Sequence, residues 1–309
     1  MERKVIVIVG PTCSGKTKVS LDLARRLSTE IISADSRQIY KYLNIGTAKP
    51  VLEDLKSVKH HFINYIEPGE EYNVSRYESD GLKIIEDNLS KGQIPIVVGG
   101  SGLYIHAIVD GIFDAVDTDE EYRDKLKENR EKLGNQFLYD ELKKVDPKSA
   151  SKMLPQNWKR VMRALEVYHL TGKPIWKFQQ EHNRESNISF VQFGLEWQRE
   201  VLYQNINNRV DKMIETGFVN EVEKILEMGY SKKLNSLNTV GYKEIISYLE
   251  NEICLERAIE LIKRNTRHYA KRQMTWFRKD DRINWMKINS KNDLEKVPDL
   301  IISQISNLN

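Results

Sequence analysis

The sequence predicts an α/β fold: a mostly parallel sheet with helices on its faces, interrupted by a helical insertion. Three observations predict it. Over the first 110 residues, short β-branched runs alternate with segments of helical period. A full G-x-x-x-x-G-K-[ST] segment follows the first of those runs and opens the first helix. From about residue 114 the strand-like runs stop and charge density rises, until a strand returns near residue 188.

Each element has its own reason. Val5-Ile6-Val7-Ile8-Val9 is apolar at every position, as expected of a strand covered on both faces. Lys16 to Leu27 carries Val19, Leu23 and Leu27 at helical spacing. Ile31-Ile32-Ser33 is a second short strand, Val74 to Leu89 a helix, Ile94 to Val98 another buried strand, and Ser101 to Val109 the next helix. Asp114 to Lys144 has helical patterns around Tyr122, Leu126 and Leu133, then around Phe137, Leu138 and Leu142. Asp146-Pro147 and Leu154-Pro155 punctuate it. Asn157 to Leu170 is helical and closes at Thr171-Gly172-Lys173-Pro174, with Gly and Pro after the last periodic residue. Gln179 to Asn187 is polar. Ile188 to Trp197 reads as a strand, Gln198 to Ala270 as helical, Ile283 to Ile288 as a strand, and Asp293 to Ile305 as a terminal helix. Residues 1–115 and 191–309 are therefore expected to form a core with C-terminal helices, and 116–190 a helical insertion.

Composition bounds the function. At roughly 150 residues per domain, the chain holds about two domains. With 40% apolar and 30% charged residues it can bury a core, which excludes a disordered tail protein. Lys and Arg number 48 against 45 Asp and Glu, so nucleic-acid binding must rest on local clustering. Two cysteines, Cys13 and Cys254, exclude a disulfide framework and a Cys-rich metal site, and fit a reducing compartment. Cys254 is expected to be a small buried hydrophobe, and Cys13 to occupy an unconstrained loop position. His60-His61 suggests a strand start or surface pair rather than a metal site. The apolar run Val5 to Val9 is too short for a signal-peptide core or a membrane span, and no later stretch approaches span length. A cytoplasmic monomer with no membrane partner is expected.

The chemistry starts at Gly10-Pro11-Thr12-Cys13-Ser14-Gly15-Lys16-Thr17, a complete phosphate loop in the strand-to-helix context it needs. Its amides converge on phosphate oxygens, the helix N-terminus adds partial positive charge, Lys16 adds a full one, and the Thr17 hydroxyl is placed to ligate Mg²⁺. The core is thus of the P-loop nucleoside-triphosphatase type. Yet Ile94 to Val98 runs into Gly99-Gly100-Ser101-Gly102, with no acid at its end for a Mg²⁺ shell. The acid follows the second strand instead, at Asp35, so the loop can hold a diphosphate that is not a nucleotide's. From spacing alone Asp35 reads equally as a catalytic acid or a turn acid.

Several blocks in order carry a resemblance. After the loop come Asp35-Ser36-Arg37-Gln38-Ile39-Tyr40 and Asn44-Ile45-Gly46-Thr47-Ala48-Lys49-Pro50, then Val98 to Tyr104. Arg160 to Val167, Val240-Gly241-Tyr242-Lys243-Glu244 and Lys271 to Arg278 follow. Together they resemble the tRNA dimethylallyltransferases of bacterial type, across nearly the whole chain. The resemblance implies transfer of a dimethylallyl group from dimethylallyl diphosphate to N6 of adenosine 37, beside the tRNA anticodon. Loop amides, Lys16 and Mg²⁺ then stabilise the departing diphosphate. The family's general base corresponds to Asp35. Ser101 stands where the family often has Thr, near that base and the target adenine, and also reads as a helix N-cap.

The basic charge is local. Arg257 to Arg282 holds nine Lys/Arg against three acids, and Lys263, Arg267 and Lys271 form one helical stripe able to track a phosphate backbone. Tyr269, Trp276 and Phe277 interleave and can stack bases or pack in a core. By resemblance, the tRNA anticodon stem-loop faces Asp35, Ser36, Arg37 and Gln38, Ser101, the helix with Lys159, Arg160, Val161, Met162 and Arg163, and the block with Lys271, Arg272, Gln273 and Arg278. Arg123 falls at a further such position. The expected layout is a channel, with adenine entering from the RNA side and the diphosphate from the other. Two other readings fit the loop: an ATP-dependent P-loop kinase of a small metabolite or nucleoside, and a non-catalytic RNA-binding nucleotide switch.

Overall fold

The structure, a computed structural model, describes residues 3–112, 118–181 and 187–306. Asp114, the 115–116 boundary and residues 182–186 of the polar stretch lie outside the described residues. The chain divides into two compact units, Met1–Val109 with Ser186–Asn309, and Asp110–Glu185.

The first unit begins with β1 (Lys4–Val9), α1 (Lys16–Leu27), β2 (Ile31–Ala34), α2 (Leu52–Ser57), β3 (His60–His61), α3 (Val74–Ser90), β4 (Ile96–Gly99) and α4 (Gly102–Asp110). The second unit holds α5 (Glu120–Val145), α6 (Pro147–Ala150), α7 (Trp158–Thr171) and α8 (Ile175–Glu181). The first then resumes with β5 (Ser189–Trp197), α9 (Arg199–Glu215), α10 (Phe218–Glu227), α11 (Tyr242–Leu249), α12 (Leu255–Phe277), β6 (Asn284–Ile288) and α13 (Lys291–Ser306).

Among the described residues the strands form one sheet in the order β3-β2-β4-β1-β5-β6, every neighbouring pair parallel. The uninterrupted apolar runs now have their explanation. Val5, Val7, Val9, Ile32 and Val97 pack on one face with Tyr77, Ile105, Phe218, Tyr242 and Ile262. Ile6, Ile8, Ile31, Ile96 and Val98 pack on the other with Val19, Leu23, Leu294 and Ile301. A strand buried on both faces has no polar side to show.

Register sets the site. Val9 lies opposite Gly99 and Gly194, and Ala34 opposite Gly99, so β1, β2 and β4 end level at one edge, and β5 runs past it to Trp197. In such sheets ligands bind beyond the carboxyl ends of the strands, where the winding order reverses. Gly99 is needed there: a Cβ would stand 2.0 Å from the Ala34 carbonyl oxygen.

The helical unit has its own core of Leu126, Leu138, Leu142, Val161, Ala164 and Leu165. Its α5 is two helical segments merged across Gly134 (φ +84°). The Asp146 side chain caps α6 through the Ser149 amide, with Pro147 in the first turn, and Gly172 ends α7 with φ +66°. The sequence reading assigns no element to α2 or α8. It also misplaces Cys254, which stands exposed at the N-cap of α12. The inward face of α12 runs through Leu255, Ala258 and Ile262 and leaves Cys254 outside it.

Candidate functional site

The phosphate loop fills the gap between β1 and α1. The Trp197 indole, at the end of β5, donates to the Ser14 carbonyl at 2.9 Å. Lys16 Nζ donates to the carbonyls of Gly10 (3.0 Å) and Pro11 (2.6 Å). Burial lowers its pKa to about 8, partly opposed by Asp35 and Cys13, with Arg209 adding to the fall. Position 13, expected to be unconstrained, is not: Cys13 has φ +64°, a left-handed backbone that side chains disfavour.

Asp35 leaves β2 into a turn. Its Oδ1 accepts the amides of Arg37 (2.8 Å) and Gln38 (3.2 Å), so the turn-acid reading holds for this oxygen. The second oxygen has no part in the turn. Ser101 Oγ accepts the Ser36 amide at 3.0 Å, tying the turn after β4 to the turn after β2. The Ser101 amide donates to Ala34 O, and its own carbonyl accepts from Tyr104 and Ile105 at the start of α4.

Sequence reasoning missed four participants. Arg209 of α9 lies over the loop, with Nη1 3.1 Å from Thr12 Oγ1 and 3.5 Å from Cys13 Sγ. Its signal was hidden in a long helical stretch with unremarkable spacing. Glu221 of α10 accepts the successive amides of Asn44 (3.0 Å), Ile45 (2.7 Å) and Gly46 (3.2 Å) and the Tyr242 hydroxyl (2.7 Å). This clamps the strap 44–49, which is further pinned where Gln38 Nε2 meets the Thr47 and Ala48 carbonyls. Lys49 donates to the Tyr40 carbonyl and to Asn44 and Asn64, its pKa lowered to about 8 by burial, which the Glu221 and Asp35 carboxylates partly oppose. His60, read as a strand-start or surface residue, is in strand β3 and also lines the loop cavity. Its Nδ1 lies 2.8 Å from the Val58 carbonyl, and burial lowers its pKa.

Two cavities meet here. One, about 350 Å³, is lined by the loop from Thr12 to Thr17 with Ser33, Gln38, Ala48, Gly100 and Gln273. The other, about 370 Å³, is lined by Ser36, Arg37, Thr239, Lys243 and Arg272 on a polar side and by Ile206, Val210, Met213, Phe218 and Ile262 on an apolar one. Both share Thr12, Asp35, Thr47, Arg209 and Tyr269. Burial, with Asp35 nearby, pushes the Tyr269 phenol well above its ordinary pKa, so it stays protonated.

The residues expected to face RNA separate into groups. Lys159, Arg160, Lys271 and Arg272 are exposed. Arg278 is exposed too, paired with Glu196 at 2.5 Å. Arg37 Nη1 donates to the Asn235 carbonyl at 2.6 Å while lining the larger cavity. Gln273 is buried, its amide spanning the Thr12 N–H (2.8 Å) and the Gly100 carbonyl (2.9 Å), so its side chain braces the loop rather than reaching outward. Val161 and Met162 are buried in the helical unit because α7 turns them to the inner face. Arg123 and Arg163 both grip Glu166, at 2.7 Å each. Burial opposes the Glu166 charge, but Arg163, the Asp119 amide and Arg123 hold its carboxyl below the usual range. The helical stripe is partly spent: Lys263 pairs with Asp211 (2.5 Å) and Arg267 donates to Asn207 (2.7 Å), both on α9. Of the three aromatics, Phe277 is core, Tyr269 lines the junction, and Trp276 is 41% exposed.

Among the described residues no group of three or more His, Cys, Asp or Glu is placed to hold a metal ion. Thr17, Ser33 and Asp35 bring hard oxygens to the loop cavity, which Cys13 and His60 also line. Those oxygens fit Mg²⁺, which keeps several waters and takes few protein ligands beside substrate phosphates.

A family model described as IPP transferase matches residues 38–280. The chain is 48% identical over 295 residues to the tRNA dimethylallyltransferase of Acetivibrio thermocellus, covering 95% of this chain and 94% of that one. It is 43% identical to that of Caldanaerobacter subterraneus over 99% of this chain and 98% of the relative. A solved tRNA isopentenylpyrophosphate transferase from Bacillus halodurans is 38% identical, with a TM-score of 0.72 over 99% of this chain and 97% of that one. A eukaryotic dimethylallyltransferase, solved acting on tRNA, is 31% identical with a TM-score of 0.83 over 98% and 80%.

Proposed function

The chain belongs to the IPP transferase family, and from that premise we propose that it moves a dimethylallyl group from dimethylallyl diphosphate to N6 of adenosine 37 of tRNA, releasing diphosphate. The observation that carries this reading is the shared wall: Asp35 lines both the phosphate-loop cavity and the larger one. A diphosphate on the loop and a base in the neighbouring cavity would have their reacting atoms beside one carboxylate.

In this reading N6 attacks the allylic carbon, the bond from that carbon to the diphosphate oxygen breaks, and the N6 proton leaves to Asp35. Oδ1 is held by two amides, so Oδ2 is the oxygen for that proton. Lys16 exchanges its loop carbonyls for phosphate oxygens, and Arg209 supplies a second cation on the same loop. Thr17 would hold Mg²⁺, which supplies further neutralisation of the departing diphosphate. Ser101 keeps the Asp35 turn in place through Ser36.

The acceptor reaches the site as part of a loop, where unstacking a base costs less than in a duplex. Lys271 and Arg272, and on the helical unit Lys159, Arg160, Arg123 and Arg163, are the proposed contacts for the anticodon stem-loop. The described helices include none long and apolar enough to cross a membrane, and a tRNA substrate fits work in the cytoplasm.

The test is product analysis. Purified protein, Mg²⁺ and dimethylallyl diphosphate are mixed with unmodified tRNA carrying A36 and A37, and with AMP in a parallel reaction. Mass gain on adenosine 37 with AMP untouched is expected. Gain on AMP alone would reassign the acceptor. No gain on either, with phosphate transferred from ATP, would return the loop to a kinase.

A further inference from the structure

We propose that Phe218 is the end wall that limits the transferred group to five carbons, an inference that rests on the prenyl-transfer reading. The loop cavity is walled mainly by backbone and polar side chains. With the diphosphate there and the reacting carbon at Asp35, an isoprenoid tail meets the apolar side of the larger cavity, Ile206, Val210, Met213 and Ile262, and leaves its polar side, Ser36, Arg37, Lys243 and Arg272, to the base. Phe218 stands on the apolar side and is 1% exposed.

Its ring cannot swing aside. It packs edge-on against Tyr242, with centroids 5.0 Å apart and planes at 83°. On another side lies Gly46, where a Cβ would stand 2.3 Å from Phe218 Cε2, and on a third Gly241, where it would stand 3.1 Å from Cζ. Both neighbours are fixed in turn. The Tyr242 hydroxyl and the Gly46 amide are bonded to the same Glu221 carboxylate. The strap, the wall and the clamp are one packed unit, so the cavity end is set by shape rather than by a movable side chain.

Removing the ring takes away six aromatic carbons where one more isoprene unit would add five. The experiment compares wild type and Phe218→Ala with dimethylallyl diphosphate and with geranyl diphosphate, using unmodified tRNA and reading products by mass. The ratio of kcat/KM for the ten-carbon over the five-carbon donor is expected to rise about 10–200-fold in the variant. Phe218→Leu, which keeps more of the core filled, is expected to give a smaller rise and stands in if the alanine variant does not fold. A ratio within about twofold of wild type, in either folded variant that still transfers the five-carbon group, would overturn the proposal. So would a wild-type protein that already uses both donors equally. A wild type that transfers from neither donor would instead overturn the prenyl-transfer reading, and the wall with it.

Discussion

The two cavities that meet at Asp35 are built in opposite ways. The loop cavity takes six consecutive lining residues, Thr12 to Thr17, from the phosphate loop, whose backbone amides and one lysine are the donors the proposed reaction uses. The larger cavity is assembled from Thr12 of the loop, the turn after β2, the strap, α9, α10, the start of α11 with its approach, and α12, and is lined mostly by side chains. Local backbone chemistry writes itself as a motif, whereas a wall gathered from seven places leaves no spacing to read. The same contrast predicts how each side breaks: the first by loss of charge at one point, the second by loosening of a clamp.

The largest effect expected on the loop side comes from Lys16→Ala. Donor-dependent turnover should fall about 10²–10³-fold, with tRNA affinity measured by filter binding almost unchanged. Equal loss of both would erase the distinction between the cavities. The partner test on the other side is Glu221→Ala, which orphans three successive amides and a phenol. It should cost about 1–3 kcal/mol of stability by denaturant titration and raise the KM for both substrates. A stability loss with both KM values intact would leave Glu221 a packing residue only.

A smaller effect sharpens the loop side. Lys16 has its pKa lowered to about 8, so its charge is present below that pH and lost as pH rises through it. A bound diphosphate favours the charged form. Donor affinity should therefore weaken above pH about 8, by up to about tenfold per pH unit, and Lys16→Ala should flatten that limb. The smallest effect belongs to the RNA face: Lys271→Ala should weaken tRNA binding and reduce its salt slope by about 1. An unchanged slope would remove Lys271 from the phosphate contacts.

The fold was legible where burial is two-sided. Val5 to Val9 and Ile96 to Val98 are apolar throughout because helices cover both faces of the sheet, and no loop sequence competes with that pattern. His60-His61 is too short and polar for such a signal, and its pairing with Ile31-Ile32 is decided by the sheet edge. In the site, the loop was legible as a complete motif, whereas Asp35 read equally as a turn acid from spacing alone and was singled out by the family blocks. Gln273, Arg209 and Glu221 could not be read correctly. Each acts on a partner more than 160 positions away in the chain, Gln273 on Thr12, Arg209 on Thr12 and Thr47, and Glu221 on the strap. The partners of the basic stripe were hidden for the same reason: Asp211 and Asn207, which take up Lys263 and Arg267, belong to a helix whose packing no single-chain spacing discloses.

The claim at the centre is that donor and acceptor meet at one carboxylate. The most direct measurement is single-turnover transfer by Asp35→Asn, with the donor and tRNA dissociation constants measured on the same preparation. Asparagine keeps an oxygen for the Arg37 and Gln38 amides but cannot take the N6 proton. The transfer rate should fall about 10²–10⁴-fold, with both dissociation constants within a few-fold of wild type. A near-normal rate, or a loss of activity wholly explained by weaker binding of either substrate, would contradict it.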